Sequence, residues 1–421
     1  MTPDESEFID EIVQDKLPAH TEPVCDTFLP WHRVRKEYIR QLQWNELIKR
    51  MIVRQWRRQL HQPEIEWSLE EQPERNHDIR HPAQMDLDKV LKCLVIPGDD
   101  LLDIRALIRD IQHLKCAIRY IGFNESQGSH NQGTRVHIAN NAVTSMPMVV
   151  RDSFVMQDRF ETIRHVDSQA YRYLREYGPY HVVNLDLCGS IFPNTAKDSR
   201  EYYDAILRLL GYQFEFQKTE WLLFITTMVK PAVVRHDTMR TLCIPTRNNI
   251  INYGDFAERI RELIPIEILI DEAIPLNHSV INDEQMLRLF GLALGKWLLN
   301  LCQQATPKWS MAMRRSYYYT ISEENGAEML SLAFEFKPNF SPPIDTTGMA
   351  GIELPPRIYP DECECAVRLV ESITQIRDVD NELMNNPNLK NTLRDAQADL
   401  LEAAGYNRMA YLRWVESGER N

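Results

Sequence analysis

The sequence predicts an α/β fold built on a mostly parallel sheet, and three observations predict it. Apolar runs ending in polar turns recur at residues 92–98, 116–122, 182–190 and 221–227. Helical patterns stand between them on short connections, which argues for parallel strands covered by helices. Two later strand-like runs, residues 311–321 and 329–336, flank Ser322-Glu323-Glu324-Asn325-Gly326, whose Asn-Gly pair marks an antiparallel hairpin.

Along the chain, residues 1–27 are acidic and punctuated by proline, the pattern of a poorly ordered N-terminus. Pro30 opens a helical arm in which Trp44, Leu47, Ile48, Met51, Ile52 and Gln55 recur at three-and-four spacing, so one face is apolar. A Pro-, Glu- and His-rich linker follows at residues 61–84. After the Pro97-Gly98 turn, Leu101, Leu102, Ile104, Leu107, Ile108 and Ile111 predict a helix. Residues 126–147, rich in Gly, Asn, Ser and Gln, read as a mobile loop, and Phe154-Val155-Met156 as a third strand. Helices are expected at residues 171–177, around Ile206 and Leu210, at 256–263 and 284–303, and through 361–417 with breaks near Asn385-Asn386-Pro387 and Gly405. This divides the chain into an N-terminus (1–27), a basic arm with linker (28–87), a sheet domain (88–340) and a helical C-terminal extension (341–421).

Composition narrows the class. At 421 residues, 43% hydrophobic and 26% charged, the chain has the make-up of a soluble protein with two or three units. No apolar run reaches the ~18 residues that span a bilayer. The acidic start lacks the basic-then-apolar order of a secretory signal, so a cytoplasmic protein without membrane contact is expected. The eight cysteines are scattered, and Cys363-x-Cys365 is too tight for a metal knuckle, so reduced thiols and no metal site are expected.

The net charge of −13 is unevenly spread. Arg33, Arg35, Lys36, Arg40, Arg54, Arg57 and Arg58, with Lys49 and Arg50, crowd the arm, opposed only by Glu37 and Glu46. Interleaved with Trp31, Tyr38, Trp44 and Trp56, these cations either grip a nucleic acid through its phosphates or dock the arm on the acidic body or on a protein partner.

The richest stretch is Val182-Val183-Asn184-Leu185-Asp186-Leu187-Cys188-Gly189-Ser190. In open α/β sheets ligands lie beyond the strand carboxyl ends, so the tips bearing Gly98, Asn124, Glu125 and Asp186 would share one cleft. Each has a plainer reading. Asp186 would cap the next turn, Asn124 or Glu125 a helix, and Asp99 and Asp100 the helix starting at Leu101. Cys188 reads as a small structural residue rather than a nucleophile.

Four places resemble the class I S-adenosylmethionine (SAM) dependent methyltransferases, a Rossmann-like fold whose last strands form an antiparallel hairpin. Val95-Ile96-Pro97-Gly98-Asp99-Asp100 stands at the family's first loop, and Ile121-Gly122-Phe123-Asn124-Glu125-Ser126 at its second strand end. Asn184-Leu185-Asp186-Leu187-Cys188-Gly189-Ser190 is similar to the fourth motif of tRNA guanine-N2 methyltransferases, and Phe224-Ile225-Thr226-Thr227 to their next strand. The resemblance implies SAM as cofactor, Gly98, Asn124, Glu125 and Asp152 as its binding residues, and Asp158 as a further candidate near the adenine. It implies Asp186 as the catalytic residue, orienting a base amino group of a nucleic acid. Its rival, to which the single glycine of the first turn points, is a methyltransferase-like subunit without catalysis. Such a subunit would sense nucleotides or act as a scaffold in a multi-component bacterial system of the phage-defence type.

Overall fold

The computed structural model describes residues 25–59, 90–125, 130–187, 189–193, 200–230, 233–271, 274, 279–321, 328–339, 349 and 361–418, without the side chains of 56–59 and 130–133. Its centre is one eight-stranded sheet. The strands are β1 (Val90–Val95), β2 (Ala117–Phe123), β3 (Phe154–Met156), β4 (Val182–Asp186), β5 (Trp221–Met228), β6 (Trp309–Tyr319), β7 (Met329–Pro338) and β8 (Arg377–Asp378). Their spatial order is β3-β2-β1-β4-β5-β7-β6-β8. β1 to β5 pair in parallel, whereas β7 runs antiparallel to both β5 and β6. The fold is therefore α/β with a mostly parallel sheet, as the alternation of patterns predicts.

Register sets the position of the tips. Val95 pairs with Gly122 on one side and with Asn184 on the other. Two residues further along, Pro97, Asn124 and Asp186 consequently stand at the same height beyond the carboxyl edge. The Asn124 amide nitrogen donates to the Pro97 carbonyl at 2.9 Å, which ties two of these tips together.

Both faces of the sheet are covered, which explains the near-continuous apolar strands. Val183 and Leu185 of β4 face a core shared with Leu209, Phe290, Leu294 and Val370. Those residues come from helices Glu201–Phe216, Asp283–Gln304 and Glu362–Thr374. Val182 faces the other core, with Trp44, Ile48, Met51 and Ile104. Alternation places Asn184 and Asp186 on that second side, beneath the N-terminal arm.

The arm is helical as its periodicity predicts. It runs through Val34–Ile39, a π-helical stretch Arg40–Asn45 and Glu46–Gln59. Its apolar stripe is buried on the sheet, and the Gln43 amide reaches the carbonyls of Arg315 and Ser331 at 3.0 and 2.9 Å. A third, smaller core knots the ends of the described chain, packing Phe28 against Tyr406, Tyr411 and Trp414.

Two expectations need correction. Residues 130–144 form the helix His130–Thr144 rather than a mobile loop, because Val136, Ala139 and Val143 recur at helical spacing and are buried. The C-terminal segment is not only helical, since Arg377–Asp378 adds β8 beside β6. The expected linker at 61–84, the Asn325-Gly326 turn and most of the N-terminus lie outside the described residues. No helix among the described residues is long and apolar enough to cross a membrane.

Candidate functional site

The strand tips converge on one cleft of about 500 Å³. Gly98, Asp99 and Asp100 enter from beyond β1, Asn124 and Glu125 from β2, Asp158 from beyond β3, and Asp186, Leu187 and Gly189 from β4. Asp152 does not reach it. β3 begins only at Phe154, so Asp152 lies at the opposite edge of the sheet, where Arg119 donates to it at 2.9 Å. Among the predicted cofactor residues the fold thus gathers Gly98, Asn124 and Glu125 with Asp186 and leaves Asp152 aside. Cys188 lies outside the described residues.

The first turn is shaped by its backbone. Leu101 is wholly buried and adopts φ 52°, a left-handed conformation that costs a non-glycine residue about 1–2 kcal/mol. Its amide donates to the Gly98 carbonyl at 3.0 Å, closing the turn that sets Asp99 and Asp100 on the cleft wall. Gly98 itself needs no glycine for this turn, because a Cβ there would meet nothing within 4 Å. It is space on the cleft side, not backbone freedom, that distinguishes the position.

The cleft is acidic. Asp99, Asp100, Asp103, Glu125, Asp158, Glu161 and Asp186 line it, against Arg40 and Arg159. Arg159 donates to Glu161 at 2.7 Å and lies 3.4 Å from Glu125, while Arg40 holds Asp103 at 2.8 Å. Burial pushes the Asp99 carboxyl above its ordinary range, partly offset by the Asn124 amide at 3.2 Å. Asp100 is the centre of a buried network. Arg135 donates to it at 2.6 Å and the Tyr406 hydroxyl at 2.7 Å, with His32 at 3.8 Å. Burial opposes its charge, but the hydrogen bonding and the positive groups around it win and hold its carboxyl below the usual value.

Asp186 is not open to the cleft alone. The Lys36 ammonium of the arm pairs with it and also sits 4.7 Å from the centre of the Trp44 ring. Burial pulls the Lys36 ammonium down, yet Asp186, with smaller help from Tyr319 and Asp103, holds it above its ordinary value, so it stays charged. Burial pushes the Asp186 carboxyl up against that same pull.

Three more arm cations are arranged alike. Arg35 pairs with Asp380, Arg40 reaches Asp103 and the Gln397 amide oxygen (3.1 Å), and Arg54 pairs with Glu335. Arg50 turns to Glu46 at 2.8 Å. Four of the nine arm cations, Arg35, Lys36, Arg40 and Arg54, are thus engaged on the acidic body of their own chain. The side chains of Arg57 and Arg58 lie outside the described residues, and Arg33 lines a second cavity.

That second cavity, about 240 Å³, lies between the arm and the end of the hairpin. Trp31, Asp186 and Leu187 line both spaces, so the Asp186 tip stands where they meet. Sequence reading placed Trp31 on the arm but not in the cleft, and missed the Lys36–Asp186 pair and the Tyr406–Asp100 contact. The pairs span 150 and 306 residues, and no local pattern encodes such contacts. Among the described residues no group of His, Cys, Asp and Glu is arranged to hold a metal ion.

No curated protein matches the chain. Residues 26–416, nearly the whole chain, match the family model described as PP_RS20740-like, and the protein belongs to the PP_RS20740-like family.

Proposed function

We propose that the cleft binds SAM and that Asp186 orients an acceptor amino group toward its methyl group. One observation carries the reading, namely an acid-lined cleft at the point where the strand order reverses. β1 to β5 lie in the order 3-2-1-4-5. This supports the Rossmann-like reading, in which a doubly wound sheet binds nucleosides where the order reverses, here between β1 and β4. The antiparallel β7 matches the terminal hairpin of the class I methyltransferase layout.

The charge selects among nucleosides. Seven carboxylates line the cleft with Arg40 and Arg159, while Lys36 and Arg135 engage Asp186 and Asp100 from outside it. The remaining negative surplus disfavours a di- or triphosphate and favours a nucleoside carrying net positive charge, which SAM does. Glu125 or Asp158 would accept from its ribose hydroxyls, and Phe123 and Leu187 supply apolar wall. Bound there, SAM would supply an electrophilic methyl group. The protein's part is orientation, which contributes through effective concentration rather than through covalent chemistry.

The acceptor reaches Asp186 from the smaller cavity, whose volume admits one ring system and no stacked duplex. A nucleic acid would therefore present a single unstacked base. Its phosphates would meet cations other than Lys36 and Arg40, which are buried in internal pairs.

The test is transfer of labelled methyl from SAM to nucleosides, single-stranded nucleic acid and cell-extract small molecules. Asp186→Ala should abolish transfer while changing SAM affinity only a few fold. Equal transfer by wild type and Asp186→Ala would remove the catalytic role. A second reading, a cofactor-binding scaffold or sensor without catalysis, is favoured by Lys36 holding the Asp186 carboxylate; SAM binding with no transfer to any acceptor would select it.

A further inference from the structure

We infer that the outer face of helix Glu201–Phe216 is an interface between two copies of this chain, related by a two-fold axis at Gly211. Charge order carries the case. Asp204, Arg208, Gly211, Glu215 and Lys218, the last just past the helix end, recur at four-and-three spacing and are all exposed. Their signs read minus, plus, neutral, minus, plus, so the series is its own complement when reversed. A two-fold axis reverses it, because residue i of one copy meets residue j of the other while j meets i. Asp204 and Lys218 stand seven residues either side of Gly211, and Arg208 and Glu215 three before and four after it. Two antiparallel copies crossing at Gly211 therefore set each carboxylate opposite a cation, twice over. A parallel pair would set like charges together, so the same series fixes the orientation.

The crossing point has room. A Cβ on Gly211 would meet nothing within 4 Å, so the space over it is open. Packed helix axes lie about 8–10 Å apart according to the side chains between them, and glycine permits the near end of that range.

Apolar surface obeys the same symmetry. Leu207 and Phe216 are 41% and 40% exposed and line a groove beside the helix with Tyr171 and Tyr212. They lie four residues before and five after Gly211, so Leu207 of each copy meets Phe216 of the other. A scattered exposed leucine needs no partner, but here two apolar residues and four charges answer to one axis. Within one copy the Arg208 guanidinium lies 5.8 Å from the Tyr171 ring centre, and the Lys218 ammonium donates to the Glu215 carbonyl at 3.0 Å. Neither contact engages a carboxylate, so both cations can turn to one on the second copy. Nothing in this interface depends on what the cleft binds.

Sedimentation of the full chain from about 1 to 100 µM, a range that populates associations of ordinary affinity, should show the mass rising from one chain toward two. Arg208→Glu and Glu215→Arg should each remain monomeric at the higher concentration, since each sets like charges opposite one another twice. Mixed together, the two variants should dimerise, because every carboxylate again faces a cation; that recovery also shows that both are folded. Gly211→Gln, whose side chain occupies the crossing, should abolish association. A monomer at every concentration, the result if residues 340–360 or a different protein cover this helix, would overturn the proposal. So would a dimer that survives any of these substitutions, which would use another face, or charge variants that stay apart when mixed.

Discussion

Replacing Lys36 by methionine strands a carboxylate. The Asp186 side chain keeps only 17% of its surface in solvent and would have lost the ammonium that compensates its burial. Breaking a buried pair from one side costs about 3–5 kcal/mol, whereas replacing both partners by apolar residues is often neutral. Lys36→Met should therefore lose about 3–5 kcal/mol near pH 7.5, and Asp186→Leu, which strands the ammonium, should lose a comparable amount. Lys36→Met with Asp186→Leu should lose far less than the two together. The pH dependence sharpens the test. In Lys36→Met burial raises the Asp186 carboxyl above its unfolded value, so the folded state holds the proton longer and the loss grows as pH rises. The deficit should be small near pH 4 and complete near neutrality. Urea unfolding of the three variants at pH 4.5 and 7.5 measures it. Losses below 0.5 kcal/mol, losses that simply add, or losses independent of pH would show that the pair does not hold the arm to the sheet.

Three further outcomes follow from the same geometry. Gly98→Ala should leave stability within about 0.5 kcal/mol, since the new methyl meets only cleft space, yet weaken SAM binding measurably in a titration. Tyr406→Phe removes a hydroxyl that donates to the buried Asp100 carboxylate at 2.7 Å and should cost about 1.5–3 kcal/mol by urea unfolding. His181 is held to about 4 by burial, with a smaller push from Lys92, while its Nδ1 accepts the Lys92 amide at 3.1 Å. The unfolded state therefore takes up the proton first as pH falls from about 6.5 to 4. Stability should drop by about 3 kcal/mol over that window, and His181→Gln should flatten the slope.

Strands were legible wherever burial on both faces forces continuous apolar runs, as in β1, β2, β4 and β5. The hairpin was legible because its turn chemistry is local. The helix His130–Thr144 was hidden because its buried Val136, Ala139 and Val143 are diluted by polar residues, and β8 because two residues carry no period. At the site, the convergence of Gly98, Asn124, Glu125 and Asp186 could be read, since parallel strands share one carboxyl edge. Asp152 was misplaced although β3 was read at its observed place, because a residue two positions before a parallel strand stands at the amino edge and not at the carboxyl edge that forms the cleft. The partners of the arm cations were not legible at all, because an ion pair leaves no trace in the spacing of either residue. Charge asymmetry announces that a helix must dock on something, and only the fold reveals that the acidic surface is its own.

Titration of the full chain with SAM by calorimetry bears most directly on the reading of the cleft. The predicted result is saturable binding of one SAM per chain, lost when Gly98→Trp fills the space between the β1 and β4 tips. No heat at millimolar SAM, or binding that survives Gly98→Trp unchanged, would contradict it.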